Sequence, residues 1–352
     1  MNRVIREGDG NGGVVSAATE NGFTWRPGFR EKADGGIGYG LCGLRDCGAR
    51  LTLVADEAVE ITPAAVQPNV YLLPYTSRLV PMFDGTGWTL YDIGDAGLTN
   101  VLLNATTNPA AVVAASCYDL FAWRNFTTGV NYLTRGPVWT SLHSRSAGTA
   151  LARNQGYLAN AVDILNGPLA GFGLYVGTFA TDPAATAVSW VPGTAAAGGG
   201  AAQLNLWNYY NRRRVFTTVA DATGGGNAYT LAALQQADAS ANNRITFVNG
   251  VSEDGWCATY KTSIHLLAAA AGYGEVGIGF DQIAAYDSDP ARLTTPMAGA
   301  LTGSVSTHFG QDPGVAGLQG QRYVQALEGG DGANANVFNV NGMAMLSLDF
   351  TM

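Results

Sequence analysis

The chain has 352 residues, which is long enough for two or three domains of ordinary size. Charged residues make up only 13% of it, against roughly 25% in average globular proteins, and the formal net charge is −8. An acidic surface disfavours binding to nucleic acid or to anionic membranes, so neither is expected as a partner. The 47 glycines favour many short strands joined by tight turns.

The sequence carries no sign of a membrane or secretion signal. It has no apolar run of about 18 residues or more, so no transmembrane helix is predicted. The first ten residues lack the apolar core and cleavage site of a secretory signal peptide. We therefore expect synthesis in the cytosol, with release by lysis, by a dedicated exporter or as part of a particle.

The cysteines are Cys42, Cys47, Cys117 and Cys257. The first two are spaced Cys-x4-Cys, but no second clustered pair completes a tetrahedral zinc site. Reduced structural thiols are the default for a protein made in the cytosol. We expect neither a metal centre nor any cofactor.

Residues 1–64 are predicted to form a separate N-terminal region for attachment. Glycine-rich loops flank an aromatic cluster that includes Trp25. Residues 51–56 and 58–61 are predicted strands, because they are rich in β-branched residues and alternate in polarity. Such a region suits docking onto a partner or a neighbouring subunit, and the alternative is an edge elaboration of the main domain.

Residues 65–290 carry the most regular strand pattern, which predicts a β-sandwich or jelly-roll display domain. The loop Asp84-Gly-Thr-Gly87 lies between predicted strands at 79–83 and 88–91. This pattern predicts a hairpin, because glycine accepts the positive φ that tight turns need. Further strands are predicted at 70–73, 118–123, 174–179, 212–219, 245–248, 257–267 and 276–280.

Helix signals are weak throughout, and the strongest covers residues 230–239. Residues 291–352 form a C-terminal region rich in glycine, alanine and asparagine that ends in a predicted strand at 343–350. No heptad or internal repeat occurs. The sequence therefore predicts an all-β, antiparallel fold with three regions.

Seven short motifs between residues 68 and 281 occur in the same order as in bacteriophage tail fibres and related virion-surface spike proteins. They are Asp84-Gly-Thr-Gly-Trp88-Thr-Leu-Tyr91, Tyr118-Asp-Leu-Phe-Ala-Trp123, Arg135-Gly-Pro-Val-Trp139, Gly156-Tyr-Leu-Ala-Asn160, Tyr175-Val-Gly-Thr-Phe179, Trp207-Asn-Tyr-Tyr-Asn-Arg212 and Val251-Ser-Glu-Asp254. The chain resembles that family over most of its length.

The resemblance implies a non-enzymatic virion component, typically a homotrimer, displayed on the virion surface. It implies contacts with other virion proteins at a tail or head attachment site, and with a glycan or receptor of the host. A long fibre shaft is absent, so a short tail spike, a neck appendage and a capsid-bound head fibre all stay open. The alternatives are a capsid-decorating protein and, from a different class, a glycan depolymerase.

Catalytic signatures are missing from the sequence. His143, His265 and His308 are far apart, and there is neither a Gly-x-Ser-x-Gly elbow nor a His-Glu-x-x-His motif. A depolymerase needs paired carboxylates, for which the candidates are Glu253 with Asp254 and Asp281 with Asp287. Polar loops after strands are the preferred interpretation of both pairs, and the chain is predicted not to be an enzyme.

Two segments resemble calcium loops only in part. In the segment from Asp9 to Glu20, Val15 and Ala17 could offer only backbone oxygen, and the segment from Asp331 to Asn336 is weaker still.

The aromatic side chains are the remaining candidates for ligand binding, because exposed tryptophans can stack on sugars. The candidates are Trp25, Trp88, Trp123, Trp139, Trp190, Trp207 and Trp256. Most are expected in the core, with one or two exposed. The basic run Arg212-Arg213-Arg214 is interpreted as a solvated strand edge, with pairing to carboxylates across a subunit interface as the alternative.

Overall fold

The computed structural model describes residues 19–20, 23–26, 29–32, 37–39 and 47–352, except for 268–269, 298, 313–317 and 343. Almost every regular element in this part of the chain is a β-strand, which confirms the predicted all-β class. The only helical elements among these residues are single 3₁₀ turns at Ala147–Thr149 and Ala237–Ala239.

The strands follow one another closely along the chain. They are β1 Thr19–Glu20, β2 Phe23–Arg26, β3 Phe29–Lys32, β4 Ile37–Tyr39, β5 Ala49–Thr52, β6 Ala64–Gln67, β7 Asn69–Pro74, β8 Leu79–Phe83, β9 Trp88–Asp92, β10 Leu98–Val101, β11 Cys117–Asn125, β12 Val130–Arg135, β13 Leu151–Asn154, β14 Tyr157–Asn160, β15 Leu174–Ala180, β16 Val188–Val191, β17 Ala195–Ala196, β18 Ala202–Leu204, β19 Leu206–Asn208, β20 Arg214–Asp221, β21 Asn227–Tyr229, β22 Gln235–Gln236, β23 Arg244–Asn249, β24 Trp256–Leu266, β25 Gly272–Phe280, β26 Ala291–Thr295, β27 Leu301–Gln311, β28 Gly320–Gly330, β29 Asn336–Phe338 and β30 Ala344–Thr351.

These strands form five sheets. Sheet A has the order β1-β2-β3-β4-β9-β8, and sheet B has β10-β7-β5. Sheet C has β12-β11-β15-β14-β13, with β19 also paired to β15. Sheet D has β26-β25-β28-β23-β18-β16-β6, with β22 beside β28, and sheet E has β17-β20-β30-β24-β29-β21, with β27 beside β24. Pairing is antiparallel apart from β17–β20 and β18–β23 among the described strands.

The predicted hairpin is confirmed by β8 and β9, which are joined by Asp84-Gly-Thr-Gly87. Gly85 has a φ of 96°, which a residue with a side chain rarely adopts. The Asp84 carboxylate accepts hydrogen bonds from the backbone N–H groups of Thr86 and Gly87, both at 2.9 Å. The turn is therefore closed by its own sequence.

The predicted central strand is also confirmed, because β11 is hydrogen-bonded to β12 on one side and β15 on the other. The first six residues of β11 and all seven of β15 are buried, as expected for strands covered on both faces. The predicted strands between residues 212 and 280 correspond to β20, β23, β24 and β25. The predicted final strand corresponds to β30.

Three local predictions were wrong in whole or in part. The strand predicted at 51–56 ends at Thr52, because residues 53–56 form a bend and a turn. Residues 230–239 are not a helix, since Gln235 and Gln236 pair with β28 and Asp238 has a left-handed φ of 55°. Residues 58–61 are not a strand, because the buried Glu60 side chain turns back to accept a hydrogen bond from the Leu53 N–H at 2.9 Å. At residues 230–239 a long-range strand pairing overrides the weak local preference, and at residues 58–61 a side-chain bond to the backbone of a nearby residue does so. The long strands β27 and β28 were not predicted.

One hydrophobic core extends from β5 to β30. Strand β5 pairs with β7, and its Leu51 N–H donates to the Asn208 side chain at 2.7 Å. The neighbouring Arg50 guanidinium is buried and donates to the carbonyls of Asn211 and Met352. Strands from all three predicted regions thus share this core, and the assignment of residues 1–64 to attachment stays a prediction.

A buried carboxyl group on β28 predicts a pH dependence of stability. Glu328 accepts hydrogen bonds from the side chains of Asn227 and Gln235. Burial nevertheless raises the pKa of Glu328 from 4.5 to about 8. The folded chain therefore keeps a proton that the unfolded chain releases, and the stabilisation present below about pH 4.5 is lost as the pH rises towards 8.

We expect the free energy of unfolding of the wild type to fall between about pH 5 and pH 8, by at most about 1.4 kcal/mol per pH unit for this one proton. Urea denaturation across that range should show a flatter profile for Glu328→Gln, which cannot titrate. Asp95→Asn, at an exposed carboxylate, is the control and should keep the wild-type slope. Equal slopes in all three proteins would contradict the assignment.

Candidate functional site

A cavity of about 170 Å³ lies against sheet D, and most of the residues that line it are polar. We call it the polar cavity. It is lined by Leu142, His143, Pro183, Gln203, Asn205, Arg244, Thr246, Gln321, Arg322 and Tyr323. Three neighbouring strands, β18, β23 and β28, supply most of these side chains.

The register of these strands explains why polar groups meet there. Gln203 on β18 is opposite Thr246 on β23, and Thr246 is opposite Tyr323 on β28. Side chains two residues apart share a face of a strand, which adds Arg244 and Gln321 to the same surface. The intervening apolar residues of these strands are buried in the core. Alternation thus gives this part of sheet D one polar face. Arg322 departs from the alternation, because it lies between Gln321 and Tyr323 on β28 and still borders the cavity.

A buried hydrogen-bonded chain holds one wall of the polar cavity. The Gln321 side-chain amide donates to the Asn205 side-chain oxygen at 2.9 Å, and the Asn205 amide donates to Asp182, also at 2.9 Å. The Ser189 hydroxyl donates to the other oxygen of Asp182 at 2.6 Å. Because each member has a partner, these amides are held in fixed orientations.

The two arginines at the polar cavity are paired differently. Arg322 forms an ion pair with Asp281 at 2.7 Å. The Arg244 guanidinium lies 4.1 Å from the centre of the Tyr323 ring, and its Nε donates to the Gln325 side chain at 2.9 Å. No described carboxylate forms an ion pair with Arg244. Arg244 is therefore the positive charge that this surface leaves uncompensated.

His143 lies on the loop that borders β28 at the polar cavity. The carbonyl of the preceding residue, Leu142, accepts the Gln321 backbone N–H at 2.8 Å, which ties the loop to the sheet. The buried Nδ1 of His143 makes no hydrogen bond within the described part of the chain. Burial, and then the nearby charge of Arg322, lower the pKa of His143, so the ring is neutral near pH 7.

The four candidate carboxylates do not line the polar cavity, and each has a partner within the chain. Glu253 and Asp254 lie in the turn before β24, and both face Arg212, at 3.5 and 2.7 Å. Asp281 pairs with Arg322, and Asp287 accepts the Phe280 backbone N–H at 2.7 Å. All four therefore brace turns and strand ends by hydrogen bonds or ion pairs within the chain.

The other candidate ligands are dispersed. His265 lies on β24 beside Thr302, and His308 lies on β27 opposite Thr259. Asp331 accepts hydrogen bonds from the backbone N–H groups of the turn that follows it. Within the described ranges, no three His, Cys, Asp or Glu side chains are grouped so that they could hold a metal ion.

Two further sequence features fall partly outside the described residues. Cys47, Cys117 and Cys257 are free thiols, whereas Cys42 lies outside the described part of the chain. Residues 9–18 of the calcium-like segment also lie outside it.

The expectation that most tryptophans are in the core is confirmed for the described side chains. The buried ones are Trp88, Trp139, Trp190, Trp207 and Trp256. Trp123 is half-buried and stacks on Tyr132, with the ring centres 5.2 Å apart. The side chain of Trp25 lies outside the described part of the structure.

The arginines of the basic run 212–214 have partners within the chain. Arg212 pairs with Asp254, and Arg214 pairs with Asp349 on the neighbouring strand β30. The backbone of Arg213 is hydrogen-bonded to Met352. The ion pairs of this run are therefore intrachain pairs in the structure.

The sequence matches no protein-family model, and no curated protein resembles it significantly. Among the described residues, none of the helices has the length and apolar character needed to cross a membrane.

Sequence reasoning missed the residues that line the polar cavity. The nearest local signal was the strand predicted at 245–248, which did not include Arg244.

Proposed function

We propose that this protein is a non-enzymatic structural component of a bacteriophage virion, displayed on the virion surface as a fibre or spike. In this proposal it helps the particle attach to the host surface and contacts other virion proteins at a tail or head site. The ordered motifs between residues 68 and 281 support the virion setting.

The observation that carries the attachment role is the polar cavity. It presents amide, hydroxyl and guanidinium groups on one face of a sheet, which is chemistry for recognising a polar ligand. The candidate carboxylate pairs lie outside its lining, and each of those carboxylates is engaged by donors of its own chain. A binding role therefore fits this surface better than glycan cleavage, which needs two carboxylates flanking a sugar bond.

Immunogold electron microscopy of the phage particles, with antibody against this chain, tests the proposed setting. Gold at the tail tip or along the tail would support attachment. Gold spread over the head would favour the alternative, a capsid decoration or head-fibre protein. Unlabelled particles would overturn the virion proposal.

Strand β27 supports the proposal that the chain self-associates as a homotrimer. It pairs along its whole length with β24, and no other described strand pairs with it. Its sequence contains no Lys, Arg, Asp, Glu or Pro. Such residues normally protect an exposed edge, so β27 is an edge on which another copy can add a strand.

Placing lysines on the exposed face of this edge should therefore weaken self-association. We expect wild-type protein to sediment as a trimer and the Ser304→Lys/Ser306→Lys variant to shift towards the monomer. Thr127→Lys/Thr128→Lys adds the same charge to an exposed turn and should leave the mass unchanged. A monomeric wild type would contradict the trimer, and an unchanged variant would contradict the role of β27.

A further inference from the structure

We infer that the polar cavity binds a sugar unit that carries a carboxylate, as found in acidic glycans. The inference rests on the proposed function only for the source of that glycan, the host surface. The binding chemistry itself follows from the residues that line the cavity.

The charge of the cavity selects an anionic ligand. The guanidinium of Arg244 has a described hydrogen-bond acceptor only at Nε, so its remaining donors are left for a ligand. A planar guanidinium binds a carboxylate through two parallel hydrogen bonds, which gives both affinity and orientation. The chain as a whole carries a formal charge of −8. The uncompensated positive charge of Arg244 therefore makes the cavity a local site that attracts anions on an otherwise acidic protein.

The rest of the lining suits hydroxyl groups. Gln203, Thr246 and Gln321 lie on the same face as Arg244 and supply amide and hydroxyl groups that can both donate and accept hydrogen bonds. The His143 ring also borders the cavity and is neutral near pH 7, so it adds no positive charge to that of Arg244.

The size of the cavity limits the ligand. A volume of about 170 Å³ is below the roughly 300–1,000 Å³ of pockets that hold drug-sized molecules. One sugar ring with its carboxylate is the appropriate scale, and the remainder of a glycan chain would extend into solvent.

The test uses the full chain and three probes: glucuronic acid, glucose and inorganic phosphate. Ligand-observed NMR or calorimetry should detect glucuronic acid binding that weakens as salt is added, because salt screens the interaction with Arg244. Glucose should bind at least about tenfold more weakly, since it lacks the carboxylate, a loss of about 1.4 kcal/mol or more. Arg244→Gln should weaken glucuronic acid binding by a similar factor.

The matched control is Arg214→Gln, which makes the same change at an exposed arginine on β20 and should leave binding unchanged. Gln203→Ala tests the hydroxyl contacts and should weaken both sugars. Binding of phosphate with no binding of glucuronic acid would overturn the sugar assignment, and so would equal binding by wild type and Arg244→Gln. Absence of binding by every probe would also overturn it.

The results of this binding test do not depend on whether the protein is part of a phage particle. Glucuronic acid binding by purified protein together with unlabelled particles in immunogold microscopy would overturn the virion role and keep the binding site. Labelled particles together with no binding of any probe by the purified protein would overturn the binding site and keep the virion role.

Discussion

Replacing Asp119 by alanine should lower the free energy of unfolding by about 3–5 kcal/mol, because it leaves a buried cation without its partner. Asp119 is 2% exposed on β11, in the middle of sheet C. Arg145 donates to its two oxygens from Nε and Nη2, both at 2.8 Å. Trp139 and Thr178 donate to the same carboxylate at 3.1 and 2.7 Å. Four donors thus converge on one side chain.

The surroundings of Arg145 explain why the loss of stability in the Asp119 variant is large. Burial by itself would lower its pKa, but the Asp119 carboxylate more than offsets this and the pKa of Arg145 is raised. The guanidinium also lies 4.0 Å from the centre of the Trp139 ring and donates to the Gly250 carbonyl at 2.8 Å. Without Asp119, Arg145 would keep its charge in a site that water barely reaches, and the desolvation cost would no longer be balanced.

Urea denaturation followed by circular dichroism, at one fixed protein concentration, measures the effect. Asp95→Ala is the matched control, because that carboxylate is 90% exposed and its ion pair with Arg78 is at the surface. We expect the control to change stability by no more than about 0.5 kcal/mol. A loss below about 1 kcal/mol for Asp119→Ala would mean that the buried pair contributes no more than a surface pair.

Replacing Trp207 by alanine should also cost about 3–5 kcal/mol, through the cavity that it leaves. Trp207 is fully buried on β19, and its Nε1 donates to the Thr351 carbonyl at 3.2 Å. Its ring packs against Tyr175 and Tyr209. Gly250 fits directly against the ring, and a Cβ there would lie only 2.3 Å from a ring carbon. The surrounding strands are fixed by their pairing and cannot collapse into the space.

The matched control is Trp123→Ala, since Trp123 is half-buried and stacks on Tyr132. It removes the same number of atoms but opens no enclosed space, so a smaller loss is expected. Trp207→Phe should retain most of the packing and lose the hydrogen bond to Thr351. The same urea titration measures all three variants, and equal losses for Trp207→Ala and Trp123→Ala would contradict the cavity explanation.

Sequence reasoning predicted elements well where the decisive forces are local. The hairpin at Asp84 needs a glycine with positive φ and a carboxylate that closes its own turn, and both are visible in four consecutive residues. The central strands β11 and β15 are apolar on both faces, and that pattern alone indicates burial. Sequence reasoning failed at residues 230–239, where pairing with β28 determines the conformation.

By itself the sequence determined the all-β class, most strands of the central region and the prediction that most tryptophans are in the core. Only the tertiary structure decided the polar cavity, because its lining residues extend along the chain from Leu142 to Tyr323 and their meeting depends on strand order and register. Arg244 reads locally as one polar residue in an alternating strand. It becomes a candidate ligand-binding group only because sheet D places it beside Tyr323 and away from every described carboxylate partner.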